Sequence, residues 1–253
     1  MAKNINFFIF YNEHLMLADA QMLESITPII HKRISIDVGT ECIEIHDPSQ
    51  LSLNLPLLPL RQALIHLPES LLHVAIKSYF VLRWERTHQY CGSCGRHTII
   101  KTPSFERHCI HCDLSFFPRI SPCVIVRINK GEELLMARSY HYPKGIYGLV
   151  AGFIEAGETA EQAAHREVME ETNIKIKNLQ YFSSQPWPFP DALMLAYTAE
   201  YDSGTLKIDY GELESGGWFH YQKLPGRPAN PNSIASKLLN DFIDKKINPK
   251  TCK

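Results

Sequence analysis

The chain has 253 residues, 45% of them hydrophobic, and a formal net charge of −1 at neutral pH. This composition supplies a core and argues against disorder, while the near-zero charge and the lack of a basic block give no basis for sequence-independent nucleic-acid binding. No apolar run approaches the roughly 18–20 residues of a membrane span, the opening MAKNINFFIFYNEHLMLADA lacks a clean cleavage region, and Thr251-Cys252-Lys253 is no peroxisomal address. A cytoplasmic protein with no membrane partner is expected, and the length allows two or three compact units.

Residues 1–66 alternate short apolar runs with turn signals: NINFFIFYN, ISIDVG, CIEIH. This predicts a small β-rich domain. Pro68 and Glu69 open a helix to about Arg86, with Leu71, Leu72, Ala75, Tyr79 and Leu82 at helical spacing. Two pairs follow, Cys91-x-x-Cys94 and Cys109-x-x-Cys112, with fourteen residues between them. That is the spacing of a zinc ribbon, with Gly92 and Gly95 supplying the turn of the first knuckle. Four thiolates close a tetrahedron, so one structural Zn²⁺ is expected; unrelated reduced thiols or two disulfides are the alternatives. Cys42 and Cys123 read as core residues, and Cys252 has no assignment.

Pro118 and Pro122 mark the next boundary, giving expected domains of 1–86, 87–118 and 119–253. The last reads as one α/β unit. PCVIVRI and ELLMARS flank the hairpin signal Asn129-Lys130-Gly131. GLVAGF runs into an acidic helix; NLQYFSS, LMLAYTAEY and GGWFHY give further strands. From Ser233 a capped amphipathic helix packs Ile234, Leu238, Leu239, Phe242 and Ile243 on one side.

The acidic helix holds the chemistry. Thr159 with Gln162 forms a capping-box start, and Ala160, Ala163 and Ala164 are strong helix formers. Within Arg166-Glu167-Val168-Met169-Glu170-Glu171, three glutamates fall three and four residues apart, on one face. Crowded carboxylates repel one another unless a hard divalent cation lies between them, and Mg²⁺ binds between carboxylates and substrate phosphates. Gly152 and Gly157 bracket the preceding loop, where glycine lets the backbone approach a ligand, and a helix N-terminus suits an anion. A solvated acidic helix is the bland alternative. The segment resembles the Nudix box, G-x5-E-x7-R-E-U-x-E-E-x-G-U with U aliphatic. Gly152, Glu158, Arg166, Glu167, Val168, Glu170, Glu171 and Ile174 fit it, and Asn173 stands in place of the glycine that ends the helix. Asn is the next-best residue for a left-handed cap.

A second motif, Ser184-Gln-Pro-Trp-Pro-Phe-Pro190, packs three prolines into five residues. It reads as a stiff loop that holds Trp187 and Phe189, whose faces suit a flat heterocycle; aromatics that merely cap the core are the alternative. The segment is similar to the S-Q-P-W-P-F-P-x-S signature of the NADH pyrophosphatase family, with Ala192 in place of the final serine. The resemblance covers residues 61–253 and includes the ribbon upstream. It implies the ribbon and a C-terminal Nudix α/β/α sandwich, which with the β-rich N-terminal domain read above makes an α+β chain.

The resemblance further implies hydrolysis of NADH and NAD⁺ to nicotinamide mononucleotide and AMP, removal of NAD caps from RNA 5′ ends, and a homodimer. Two or three Mg²⁺ or Mn²⁺ ions would sit on Glu167 and Glu171, with Glu170, the Ala151 carbonyl and Glu212 assisting; Glu212 also suits a general base. Arg166 would orient the carboxylates. Substrate contacts are expected from Arg61, Phe117, Phe153, Gln185, Trp187, Phe189, Ala192 and Ala235. The competing readings are a Nudix hydrolase of ADP-ribose or another dinucleotide, a zinc-ribbon RNA-binding protein using Arg96, Lys101, Arg107 and Arg119, and an inactive scaffold.

Overall fold

In the computed structural model of the chain, residues 7–19, 30–50, 57–101, 104–228 and 230–248 are described, and the fold divides into two compact units after Arg119. Residues 4–6 of the first predicted strand, and Cys252, lie outside the described residues.

The first unit opens with β1 (Phe7–Tyr11), β2 (His14–Ala18), β3 (Ile30–Asp37), β4 (Thr40–Ile45) and β5 (Leu58–Pro59), ordered β3-β4-β1-β2-β5. Strands β1 and β4 run parallel, and the other pairs antiparallel. Asn12-Glu13-His14 breaks the apolar run in sequence, yet β1 turns straight into β2, with Asn12 left-handed at φ 52°. A two-residue hairpin needs such a residue and leaves little sequence trace beyond it. Phe7, Ile9, Met16, Ala18, Ile43 and Ile45 form the core of this sheet.

Two helices follow, α1 (Leu60–His66) and α2 (Glu69–Thr87). Sequence reading did not list α1, which has seven residues and no side-chain cap. The ribbon adds β6 (Ile99–Lys101), β7 (Glu106–Cys109) and β8 (Leu114–Phe116) as a small antiparallel sheet. It is tied to α2 through buried groups. Arg107 donates to Glu85 Oε1 (2.5 Å), Thr98 Oγ1 (2.7 Å) and Thr98 O (2.9 Å), Lys32 pairs with the same Glu85, and Trp84 Nε1 donates to Phe116 O (3.2 Å). Removing Glu85 would leave the buried Arg107 charge without its carboxylate, which costs several kcal/mol, about 3–5.

The second unit contains β9 (Ser121–Lys130), β10 (Glu133–Ser139), β11 (Val150–Phe153), α3 (Ala160–Thr172), β12 (Lys175–Trp187), β13 (Ala192–Ser203), β14 (Leu213–His220) and α4 (Ile234–Ile247). The sheet order is β12-β13-β9-β10-β14, with β11 also on β9 and β13 parallel to β9. Alternation along β9 sends Val124, Val126 and Ile128 to the α3 face, with Ala163, Ala164 and Val168. Ile125 points the other way, to Leu238, Leu239 and Phe242 of α4. The unit is therefore the expected α/β/α sandwich. One expectation is corrected. Gln185-Pro186-Trp187 is not a loop but the end of β12, paired with Met194, Leu193 and Ala192. An edge strand tolerates proline because one side of it needs no donor, and the turn begins only at Pro188.

Candidate active site

Helix α3 starts on the capping box that the sequence contains. Gln162 N–H donates to Thr159 Oγ1 (3.2 Å), and Thr159 N–H donates to Gln162 Oε1 (2.8 Å). It ends on Asn173 in the left-handed region, φ 57° and ψ 27°. The Asn173 side chain also donates to Thr205 O (2.9 Å), a bond that the family's glycine could not make.

Between these caps, Glu167 and Glu171 are buried at 8% and 6% exposure, and Glu170 is exposed. The seat for Glu167 is Gly152 on β11: a Cβ there would lie 2.0 Å from the Glu167 carboxyl carbon. Only glycine leaves room for that carboxylate against the strand. Arg166 joins the parts. It grips Glu158 with two bonds (2.6 and 2.8 Å) and donates to Glu167 Oε1 (2.8 Å), Glu170 Oε2 (3.0 Å) and Phe153 O (3.0 Å). Every donor of the fork that these bonds use is spent on the loop and helix, which makes Arg166 an orienting residue.

The electrostatics follow from this geometry. Arg166, with the Glu155 N–H, holds Glu158 down at about 2. Burial pushes Glu171 up to about 8, reinforced by Glu167, Glu212, Asp209 and Glu170. Burial also raises Glu167, against the opposing pull of Arg166. Buried carboxylates that repel one another are costly, and a hard divalent cation with oxygen ligands relieves that cost. The donor set therefore fits Mg²⁺ or Mn²⁺.

Glu212 is exposed, on a loop fastened to the end of α3. Lys207 N–H donates to Thr172 O and Asp209 N–H to Glu171 O, both at 3.0 Å. Asp209 closes the loop, accepting from Gly211 N–H at Oδ1 (2.9 Å). Sequence reading passed over Asp209, although an Asp two residues before a glycine is a turn signal. Cys123 was assigned to the core and is buried, but its thiol also senses the acidic site: burial, then Glu167 and Glu171, push it up to about 12.

Of the expected substrate contacts, Phe153 is exposed on β11 beside the Gly152 seat. Trp187 and Phe189 pack edge to face, with centroids 5.4 Å apart. Gln185 spends its amide inside the protein, donating to Asn232 O (2.9 Å) and accepting from Ile234 N–H (2.7 Å). It thereby locks β12 to the start of α4, where Ala235 sits half-buried. Ala192 is buried on β13. Arg61, exposed at the start of α1, and Phe117, exposed after β8, belong to the first unit. Ala151 lies on β11, opposite Ile125.

The thiols of Cys91, Cys94, Cys109 and Cys112 all lie within 4.8 Å of one another, and among the described residues they are the only group of ligand side chains so close. Such a set can hold a zinc ion. Gly95 takes the left-handed turn of the first knuckle at φ 72°, and Asp113 does so in the second at φ 55°; Gly92 does not. Among the described residues no helix is long and apolar enough to cross a membrane.

The NUDIX domain family matches residues 118–242. A protein of Chromobacterium violaceum named NAD-capped RNA hydrolase NudC is 43% identical over 188 residues, 74% of this chain and 71% of that one. Proteins of the same name from Photorhabdus laumondii and Yersinia enterocolitica are 48% and 44% identical. They cover 62% and 71% of this chain, and 61% and 69% of their own lengths. A solved NUDIX hydrolase from Nitrosomonas europaea shares the fold, with a TM-score of 0.50 at 20% identity over 64% of this chain and 92% of that one. The glutamates that the box pattern places on α3 thus lie in a chain that belongs to the NUDIX family and, within it, to the group of the NudC proteins.

Proposed function

We propose that this chain hydrolyses the pyrophosphate of NADH and NAD⁺ to nicotinamide mononucleotide and AMP, and removes NAD caps from RNA 5′ ends. The observation that carries the chemistry is the Glu167 carboxylate seated on Gly152 beside buried Glu171; the substrate follows from the names of the relatives. Glu167 and Glu171 would hold two or three Mg²⁺ or Mn²⁺ ions, with Glu170, Glu212 and the Ala151 carbonyl completing the set. When bound, the ions supply Lewis-acid polarisation of the diphosphate and a water of lowered pKa.

The protein's own part is positioning. Arg166 fixes Glu158, Glu167 and the Phe153 carbonyl in one frame. Glu212, on the loop tied to Glu171, takes the proton of the attacking water as the bridging P–O bond breaks. Phe153 stacks on one base; Trp187, braced by Phe189, holds the other ring, and Gln185 positions the Ala235 backbone beside it, with Ala192 lining β13. The ribbon carries one structural Zn²⁺. A homodimer in the cytoplasm, where thiols stay reduced, completes the reading.

The test is product analysis on purified protein with Mg²⁺ or Mn²⁺, offering NADH, NAD⁺, ADP-ribose and NAD-capped RNA in parallel. Nicotinamide mononucleotide with AMP from NADH, and 5′-monophosphate RNA from the capped substrate, are expected. Cleavage of ADP-ribose alone would overturn the substrate assignment, and cleavage of none would overturn the enzyme.

A further inference from the structure

Three tyrosines stand on the second unit without any part in the site as described. Tyr210 is 69% exposed and Tyr140 53%, and Tyr142, two residues after Tyr140, is 38% exposed. The two loops that carry them are joined, because Tyr140 Oη donates to Tyr210 O (2.9 Å). Tyr210 lies two residues before Glu212, on the loop bound to the end of α3, so the platform adjoins the acidic site.

The loop that follows Tyr140 is braced from below. Arg138, itself buried, donates to Tyr142 O (2.8 Å) and Pro143 O (3.2 Å) and pairs with Glu214. Tyr142 lies over Gly148, where a Cβ would come within 2.9 Å of its ring. Exposed large aromatics fixed at the mouth of a site have a use when the substrate continues beyond it. Under the reading proposed above, on which this inference rests, the substrate is an NAD cap with an RNA chain attached, and that chain must leave the site across its rim.

We infer that Tyr140 and Tyr210 form a stacking platform for the first single-stranded nucleotides that follow the cap. Stacking on aromatic rings is tolerant of sequence. The local charge favours stacking over phosphate contact: exposed Lys144 and Lys207 are set against exposed Asp209 and Glu212, and Glu214 is paired with Arg138. The platform therefore discriminates capped RNA from free dinucleotide through its bases.

The experiment compares kcat/KM on NADH and on a short NAD-capped single-stranded RNA, using full-length protein with Mg²⁺ and the variants Tyr140→Ala, Tyr210→Ala and Tyr140→Phe. The alanine variants should lose about 5- to 20-fold on the capped RNA and stay within about twofold on NADH. Tyr140→Phe keeps the ring and should retain activity on the RNA, which separates stacking from loss of the bond to Tyr210. Wild-type activity on capped RNA should fall less than about tenfold between about 50 and 200 mM salt, because few phosphates are contacted. Equal losses on both substrates, or none on either, would overturn the platform. Wild-type cleavage of NADH without cleavage of capped RNA would instead overturn the RNA part of the functional reading.

Discussion

The four thiols of the ribbon converge within 4.8 Å, whereas no three of Glu167, Glu170, Glu171 and Glu212 form so close a group. Both sets are placed by backbone that only certain residues permit: Gly95 and Asp113 at positive φ in the knuckles, and Gly152 under Glu167 on β11. The difference lies in what else touches the ligands. In the ribbon, backbone N–H groups of Cys112 and His111 point at the Cys109 sulfur and lower it to about 7, while the neighbouring Cys94 thiol, then burial, push Cys112 up to about 12. At the acidic site the strongest influence on Glu171 is burial, with four neighbouring carboxylates adding to it. Four thiols can close a tetrahedron around a single ion, whereas crowded carboxylates can leave positions open to substrate oxygens.

That contrast can be broken at either end. Glu171→Gln should reduce turnover by at least about a hundredfold, since even outer partners of metal ligands are worth 10–100-fold, while circular dichroism stays unchanged. Near-wild-type turnover would remove Glu171 from the machinery. Cys91→Ser should lose zinc by elemental analysis and lower the melting temperature, because ligand binding and folding are linked in such sites, yet the acidic site should keep its Mg²⁺ affinity. A wild-type protein that contains no zinc would end the ribbon reading.

Smaller effects sharpen the comparison. Gly152→Ala sets a methyl against the Glu167 carboxyl. The side chain can swing aside, so we expect about a tenfold loss of activity with little change in melting temperature. In Mg²⁺-free buffer the stability should depend on pH with a definite sign. Glu171 binds its proton more tightly folded, at about 8, than at its ordinary 4.5, so its contribution is complete at low pH and is lost as pH rises through that window. The melting temperature should fall from about pH 5 to pH 8 and recover at pH 8 on adding Mg²⁺; a rise without metal would contradict the burial of Glu171. Asn173→Gly should move stability by no more than roughly 1 kcal/mol, because the lost bond to Thr205 is offset by relief at a left-handed position.

Much of the site could be read before the fold was known. Caps, spacing and carboxylates of α3 are local, and the ribbon is a spacing of thiols. What was hidden depends on partners distant in sequence. Nothing around Gly152 states that it lies beneath Glu167, and nothing near Asp209 states that its N–H reaches Glu171 O. Pro186 shows the same limit: three nearby prolines suggest a loop, but β12 lies at the sheet edge, and edge position is a property of the whole sheet. Strand β2 and helix α1 were missed because a two-residue turn and a seven-residue uncapped helix carry almost no local signal.

The bonds from Lys207 and Asp209 to the carbonyls of Thr172 and Glu171 have a consequence for how this chain can vary. A helix end normally leaves such carbonyls to solvent; here they clamp the segment that presents Glu212. The stretch from Thr205 to Glu212 is therefore closed to insertion and deletion, since one added residue would move Glu212 out of register with Glu171 even though the segment is mostly exposed and has the look of a loop in which length is free.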